Sequence, residues 1–457
     1  MSRRRLRGGS EQATTPFGGP AAGRSGAGAA SVMFAAALAV RLAFVAARPG
    51  WQLRPGQLKA DSLQFHEIAV SLVHGTGYAH AWAGAGPHHG QLVPTALRAP
   101  LWPLALASLY KVTGPSPFAG RLLDVVLSSA TCALLVVLGT ALAGRRAGIT
   151  AGLLAALYPP LWAHVDTLWS EPLFTLLLVA VLTAAEAHRR GPSLGRAAAV
   201  GLLLGLAALA RPNGLLVLVP LGVWVAWRAR TNSRGAMALA ALACFLGASL
   251  AVVPWEVRTA RALHAVVPVT TLGGSVLAGD YSEATADLNG PLWGWWDLPG
   301  QVRAFLASTD EVAFDRAMRS RGERWISDHP LTSGRLVGLH AVRYLDIYWS
   351  QHNRLELEAP SRWTDVNVAA LLWWWAVAVA AVLGALQLAR DKMLGPWVPA
   401  LWVWAILAAS GLLLAAHTRY RVPSDPIVLL LAAVWLTRRG APSLALPPTA
   451  VRASRHR

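Results

Sequence analysis

Carboxylates and arginines recur in this chain at the ends of apolar runs. Asp61 follows the first run, and Glu171 opens another in Trp169-Ser170-Glu171-Pro172. Arg211 stands between two runs in Arg211-Pro212-Asn213-Gly214, and Arg258 and Arg261 follow Pro254-Trp255. Arg419 and Arg421 precede the last run in Arg419-Tyr420-Arg421-Val422-Pro423. Arginine donates through a planar fork that matches phosphate, and a carboxylate beside it can take a proton from a hydroxyl. Gathered on one membrane face, these residues would suit an anionic lipid head group and a hydroxyl nucleophile. Each also has a simpler reading. Asp61 would then be a solvated loop acid and Glu171 a helix-start acid favoured by the dipole. Arg211 would be a snorkelling side chain, and Arg419 and Arg421 anchoring charges.

Whether they gather depends on the elements that carry them. The chain has 457 residues, of which 54% are hydrophobic and only 14% charged, with a mean hydropathy of +0.42. A soluble domain carries about 25% charged residues, and a chain this apolar could not cover its own surface. Runs near the length that a bilayer core of about 30 Å requires place ten spans at 31–47, 119–143, 147–165, 170–187, 196–210, 213–229, 236–254, 367–388, 396–416 and 425–437. The expected fold class is therefore an all-α polytopic membrane protein with about ten transmembrane helices and two large loops, 48–118 and 255–366. The pieces are a disordered basic tail (1–30), a transmembrane module (31–254), the large loop (255–366), the C-terminal spans (367–437) and a second basic tail (438–457). The first span reads as an uncleaved anchor, and Asp61 to Val73 as an amphipathic surface helix.

Charge distribution tests this layout. With the N-terminus in the cytoplasm and the spans alternating, the cytoplasmic pieces hold roughly 20 Lys and Arg against about 3 acids, and the other side roughly 21 against about 20. Nearly all of the net +18 then lies on one face, as the positive-inside rule requires. Both termini are expected in the cytoplasm of a plasma-membrane protein, and nucleic acid is not an expected partner. The same count supports a turn at Arg211-Pro212-Asn213-Gly214, since one long helix over 196–229 would send every later loop to the wrong side. Cys132 and Cys244 form no disulfide framework or metal pattern, and His88-His89 alone is a poor metal signal. Arg41, inside the first span, calls for a structural partner in the bundle.

The motifs, taken in order, resemble the C-type glycosyltransferases, and within them the bacterial branch of the dolichyl-phosphate-mannose:protein mannosyltransferase superfamily that includes the lipid A aminoarabinose transferases. The resemblance rests on Asp61 with Phe65 and Gly75-Thr76-Gly77-Tyr78, then Pro94-Thr95-Ala96-Leu97-Arg98-Ala99-Pro100-Leu101-Trp102-Pro103. It continues through Tyr158-Pro159-Pro160, Ser170-Glu171-Pro172, Ala210-Arg211-Pro212, Pro254-Trp255-Glu256-Val257-Arg258 and Val269-Thr270-Thr271-Leu272-Gly273-Gly274, and ends at Arg419-Tyr420-Arg421-Val422-Pro423. Phe65 replaces a frequent Tyr, and Ser62 stands where protein mannosyltransferases often have Glu, which bears on the acceptor more than on the chemistry. The resemblance implies an inverting transferase that takes a sugar from a polyprenyl-phosphate donor to an extracytoplasmic protein, lipid or wall glycan, without cofactor or metal. It implies Asp61 as catalytic base and Arg98, Glu171, Arg211, Arg258, Arg419, Tyr420 and Arg421 as substrate-binding residues, with Glu171 orienting either substrate or a basic side chain. The alternatives are a lipid-linked sugar transporter, against which the lack of repeated halves counts, a polymerase or ligase with a diphosphate-linked donor, and a noncatalytic member of the same fold.

Overall fold

A computed structural model describes residues 20–47, 52–58, 60–81, 90–166, 168–230, 233–286, 310–347, 364–414 and 418–438. Most of the described chain is helical. The N-terminal half contains α1 (Pro20–Ala46), α2 (Ala60–Val73), α3 (Leu101–Thr113), α4 (Pro117–Ala143), α5 (Arg145–Leu157), α6 (Pro159–Ala163), α7 (Glu171–Arg190), α8 (Leu194–Ala210), α9 (Asn213–Ala229) and α10 (Arg234–Ala262). The remainder contains α11 (Gly273–Asp280), α12 (Glu283–Ala286), α13 (Glu311–Asp328), α14 (Pro330–Tyr344), α15 (Thr364–Arg390), α16 (Val398–Leu413), α17 (Thr418–Arg421) and α18 (Asp425–Arg438). A two-stranded antiparallel ribbon pairs β1 (Ala79–Ala81) with β2 (Leu92–Pro94), Ala79 opposite Pro94.

Each of the ten expected spans overlaps helix in the described residues, and the protein is a multi-pass membrane protein. Six of these helices are long and apolar enough to cross a bilayer, and α8 and α9 have 17 residues each. Two elements differ from expectation. The span expected at 147–165 is α5, of 13 residues, followed by a break at Tyr158 and the short α6. Pro159 and Pro160 cannot donate to the preceding turn, and a residue before proline avoids the helical region; Tyr158 accordingly has ψ 108°. The other is α1, whose helix starts at Pro20, inside the expected disordered tail, on an Ala-rich stretch that favours helix. The basic residues before it and His88-His89 lie outside the described residues.

Small residues let the helices approach closely. A Cβ at Gly201 of α8 would collide with the Cys244 carbonyl of α10, and one at Gly247 with the Ala198 carbonyl. Arg41 has the structural partners its position demanded. It is fully buried, and its Nε donates to Ser128 Oγ at 2.8 Å while its Nη1 donates to the Ala37 carbonyl at 3.2 Å. Cys132 and Cys244 are buried free thiols.

Candidate active site

The candidate residues lie at helix ends and in the segments between α1 and α4. Asp61 sits in the first turn of α2, a helix whose Phe65 and Ala69 pack on Trp102, Leu106 and Tyr110 of α3. Glu171 opens α7, with Pro172 in its first turn as an N-terminal proline should be. Arg211 is the extended residue, φ −153° and ψ 139°, that separates α8 from α9, so the chain does turn there. Arg419 and Tyr420 lie on α17 between α16 and α18.

These positions, far apart in sequence, form one network. Arg98 pairs with Asp61 Oδ1, and its Nε donates to Gln64 Oε1 at 2.6 Å. Arg419 Nη1 donates to Asp61 Oδ2 at 2.7 Å, and its Nε donates to Glu171 Oε1. Arg211 Nη1 reaches the same Glu171 oxygen at 2.6 Å. The Arg419 guanidinium lies 3.9 Å from the centre of the Trp169 ring, and that of Arg211 lies 5.3 Å from the centre of Tyr420. Burial alone would push the Asp61 carboxyl up, but Arg98 and Arg419, with Arg211 behind them, hold it well below the usual carboxylate range. Burial would lower Arg419, yet Glu171 and Asp61 hold its guanidinium above its usual value. Burial also raises the Tyr420 phenol, keeping it a neutral hydroxyl.

Asp61, Phe65, Arg98, Arg211, Arg419 and Tyr420 line a cavity of about 380 Å³. Glu171 is 1% exposed and stands behind the wall. Its role in this geometry is to hold Arg211 and Arg419 side by side. The starts of α7 and α9 and the α16–α18 connection thus converge on this cavity.

Two of the expected substrate contacts lie elsewhere. Arg258 donates at 2.5 Å to the carbonyls of Thr95 and Tyr78, so it clamps the ribbon and does not line the cavity. Arg421 is 1% exposed and faces away from the cavity, pairing with Asp346 and lying 3.7 Å from the centre of the Trp374 ring. The physical reason is spacing. On a single helical turn, residues two apart point to different sides, so Arg419 and Arg421 serve different clusters.

Several motifs prove to be supports for Arg98. Gly75 and Gly77 have φ of +78° and +87°, a conformation in which a side chain is strained, and they turn the chain after α2. Tyr78 follows, and its hydroxyl donates to the Arg98 carbonyl at 2.7 Å. Thr270 donates to the Leu97 carbonyl at 2.6 Å, and Thr271 N–H to the Ala96 carbonyl at 3.0 Å. Glu311, in the first turn of α13, accepts from Thr95 Oγ1 at 2.7 Å and from Ala96 N–H at 2.5 Å. Burial raises the Glu311 carboxyl, an effect these two donors partly offset. Sequence reasoning missed Glu311, Trp169, Asp280 and Arg319, the last two on the cavity wall. Trp169 adjoins a quoted motif; the other three sit in a loop with no motif near them but Gly273-Gly274. Among the described residues, no group of three or more His, Cys, Asp or Glu could hold a metal ion.

No family model matches the chain, and no curated protein matches it in sequence. Solved structures do match in fold. The apo crystal structure of the Archaeoglobus fulgidus oligosaccharyltransferase superposes over 89% of this chain at 10% identity with a TM-score of 0.52. This chain spans about half, 50%, of the length of that enzyme. The complex of the Archaeoglobus fulgidus oligosaccharyltransferase with an inhibitory peptide and a dolichol-phosphate covers 89% of this chain and 50% of its own, at 11% identity and a TM-score of 0.49. ArnT from Cupriavidus metallidurans bound to undecaprenyl phosphate covers 89% and 76%, at 13% identity and a TM-score of 0.39. The chain thus shares its fold with the Archaeoglobus fulgidus oligosaccharyltransferase, an all-α polytopic membrane architecture of the class expected from the sequence.

Proposed function

We propose that this chain is an inverting membrane glycosyltransferase that moves a sugar from a polyprenyl-phosphate donor to a hydroxyl acceptor outside the cytoplasm, with both its termini in the cytoplasm. One observation carries the reading: Asp61 is held between Arg98 and Arg419 in a cavity that Arg211 also lines. Three guanidiniums around one cavity match a phosphate, and a carboxylate among them is the base that an attacking hydroxyl needs.

In this mechanism the donor phosphate binds to Arg98, Arg211 and Arg419. It competes for the two arginines that hold Asp61, so the carboxylate regains basicity when the donor arrives. Asp61 then takes the acceptor's hydroxyl proton, the oxygen attacks the anomeric carbon, and the bond from that carbon to the phosphate oxygen breaks. Polyprenyl phosphate leaves with the electron pair, and the arginines offset its added charge. Glu171 keeps two of them in place, and the stacking of Arg419 on Trp169 restricts its fork.

The test is transfer from a panel of radiolabelled polyprenyl-phosphate sugars in membranes, comparing wild type with Asp61→Asn. Loss of a general base typically costs about 100-fold to 10,000-fold; that loss, with donor binding kept, is the expected result. Equal activity in both proteins would remove Asp61 as base. Transfer only from diphosphate-linked donors would reassign the chain to the polymerase or ligase class. Donor binding without transfer from any donor would reassign it to transport.

A further inference from the structure

The cavity holds a second carboxylate that the mechanism above does not use. Asp280 ends α11, is 1% exposed, and belongs to the cavity wall. It is positioned firmly. At one side, Tyr281 Oη donates to the Leu413 carbonyl of α16 at 2.9 Å. At the other, the start of α11 is tied to α13, where Asp315 Oδ1 accepts from Gly274 N–H at 2.6 Å. Asp280 and Tyr420 line the same cavity and are near enough to interact electrostatically, and the Arg211 guanidinium lies 5.3 Å from the centre of the Tyr420 ring. Tyr420 thus neighbours both the arginine cluster and Asp280.

Exposure gives the cavity a direction. Arg211 and Arg419 are 12% and 14% exposed, and Asp61 is 22% exposed. Arg319, also on the wall, is 52% exposed and only loosely paired with Asp315 at 3.7 Å, so it marks the open side. A carboxylate cannot serve the donor phosphate, which it would repel. It is an acceptor for several hydrogen bonds at once, and the group next to the phosphate in a polyprenyl-phosphate sugar is a ring bearing hydroxyl donors.

Building on the reading of the cavity as a donor site, we propose that Asp280 is a specificity-determining residue that accepts hydrogen bonds from the hydroxyls of the donor sugar. The cavity then has a phosphate end, at Arg98, Arg211 and Arg419, and a sugar end at Asp280 and Tyr420. A buried carboxylate bonded to a hydroxyl discriminates strongly against a ligand that lacks it, because the acid is left unsatisfied.

The test measures binding of two probes to the purified full chain in detergent: bare polyprenyl phosphate, and a panel of its hexosyl and pentosyl esters. Wild-type protein is expected to bind at least one ester more tightly than the bare phosphate. Asp280→Asn is expected to weaken that ester about tenfold or more while leaving bare phosphate binding within about twofold. Retained binding of the bare phosphate also shows that the variant is folded. Equal weakening of both probes, or of neither, overturns the proposal, as does a wild type that gains nothing from any sugar. Should the variant not fold, deoxy analogues of the preferred ester are measured on wild type. At least one must bind about tenfold more weakly, and equal binding of all of them overturns the proposal. Failure of bare polyprenyl phosphate to bind wild type would instead count against the donor reading itself.

Discussion

Arg419 and Arg421 stand two residues apart on α17, yet they belong to two regions with opposite designs. In the cavity cluster, two acids meet three arginines. Asp61 is held by Arg98 and Arg419, and Glu171 by Arg211 and Arg419. In the inner cluster the Arg421 guanidinium faces two acids. It pairs with Asp346 and lies 3.4 Å from Asp425, whose other oxygen accepts from Tyr158 Oη at 2.8 Å. An excess of cations beside a cavity leaves positive charge for a ligand, whereas a buried cation held by two acids has its charge met within the protein. Both clusters are built from paired arginines, so pairing alone does not mark function. What separates them is which charge is in surplus and whether the pair touches open space.

The sharpest way to break this comparison is to remove the two arginines in turn. Arg421→Ala strips the guanidinium from two buried acids, and breaking a buried pair in this way costs about 3–5 kcal/mol. Its thermal unfolding midpoint in detergent is expected to fall steeply, while transfer per folded molecule stays within about tenfold of wild type. Loss of donor binding by the folded protein would show that Arg421 reaches the ligand after all. Arg419→Ala is expected to do the reverse. Asp61 keeps Arg98 and Glu171 keeps Arg211, so the fold survives, but the transition state loses a cationic donor worth about 2.7–4 kcal/mol, or roughly 100-fold to 1,000-fold in kcat. A midpoint as depressed as that of Arg421→Ala would dissolve the distinction between the two regions.

A smaller effect probes the supports of the cavity. Glu311→Gln retains size but weakens two hydrogen bonds to Thr95 and Ala96, each worth about 1 kcal/mol. Because those bonds fix the loop that carries Arg98, transfer is expected to drop several-fold with little change in the inner cluster. The readout is a KM that rises more than kcat falls, since the first loss is placement of the phosphate. An unchanged KM would mean that the loop is held by Tyr78, Thr270 and Arg258 without Glu311.

These contrasts also explain what could be read in the sequence. Span positions followed from runs of apolar residues, and the turn at Arg211-Pro212 followed from charge balance, because both are local or additive properties. The break at Tyr158 was written in the following two prolines, but an apolar window averages across them. Asp61, Arg98, Glu171, Arg211, Arg419 and Tyr420 were all legible as motif members, whereas their geometry was not. Glu171 was expected to orient substrate or a basic side chain, and in the structure it pairs with two arginines. Arg258 and Arg421 looked equivalent to Arg211 and Arg419, because only three-dimensional placement tells a guanidinium that clamps carbonyls from one that faces a cavity. Glu311 and Asp280 lie in a loop where polar residues are common, and nothing local distinguishes a bracing acid from a solvated one.

The finest test of the cavity cluster is its pH dependence. The Asp61 carboxyl is held below its ordinary value of 3.8 by Arg98 and Arg419, so the ionised form, and the ion pairs it makes, are fully present above that pH and are lost only as pH falls further. A plot of kcat/KM, which reports the free enzyme, is therefore expected to show no acid limb from Asp61 above pH 3.8 in wild type. Removing one guanidinium takes away a lowering influence while burial, which raises the carboxyl, remains. Arg98→Ala should thus carry the acid limb upward. In the proposed mechanism the donor phosphate competes for the same arginines, so the limb in kcat, which reports the complex, should lie above that in kcat/KM for wild type. If the two limbs coincide, the phosphate does not loosen the hold on Asp61, and the base must work against both arginines throughout the reaction.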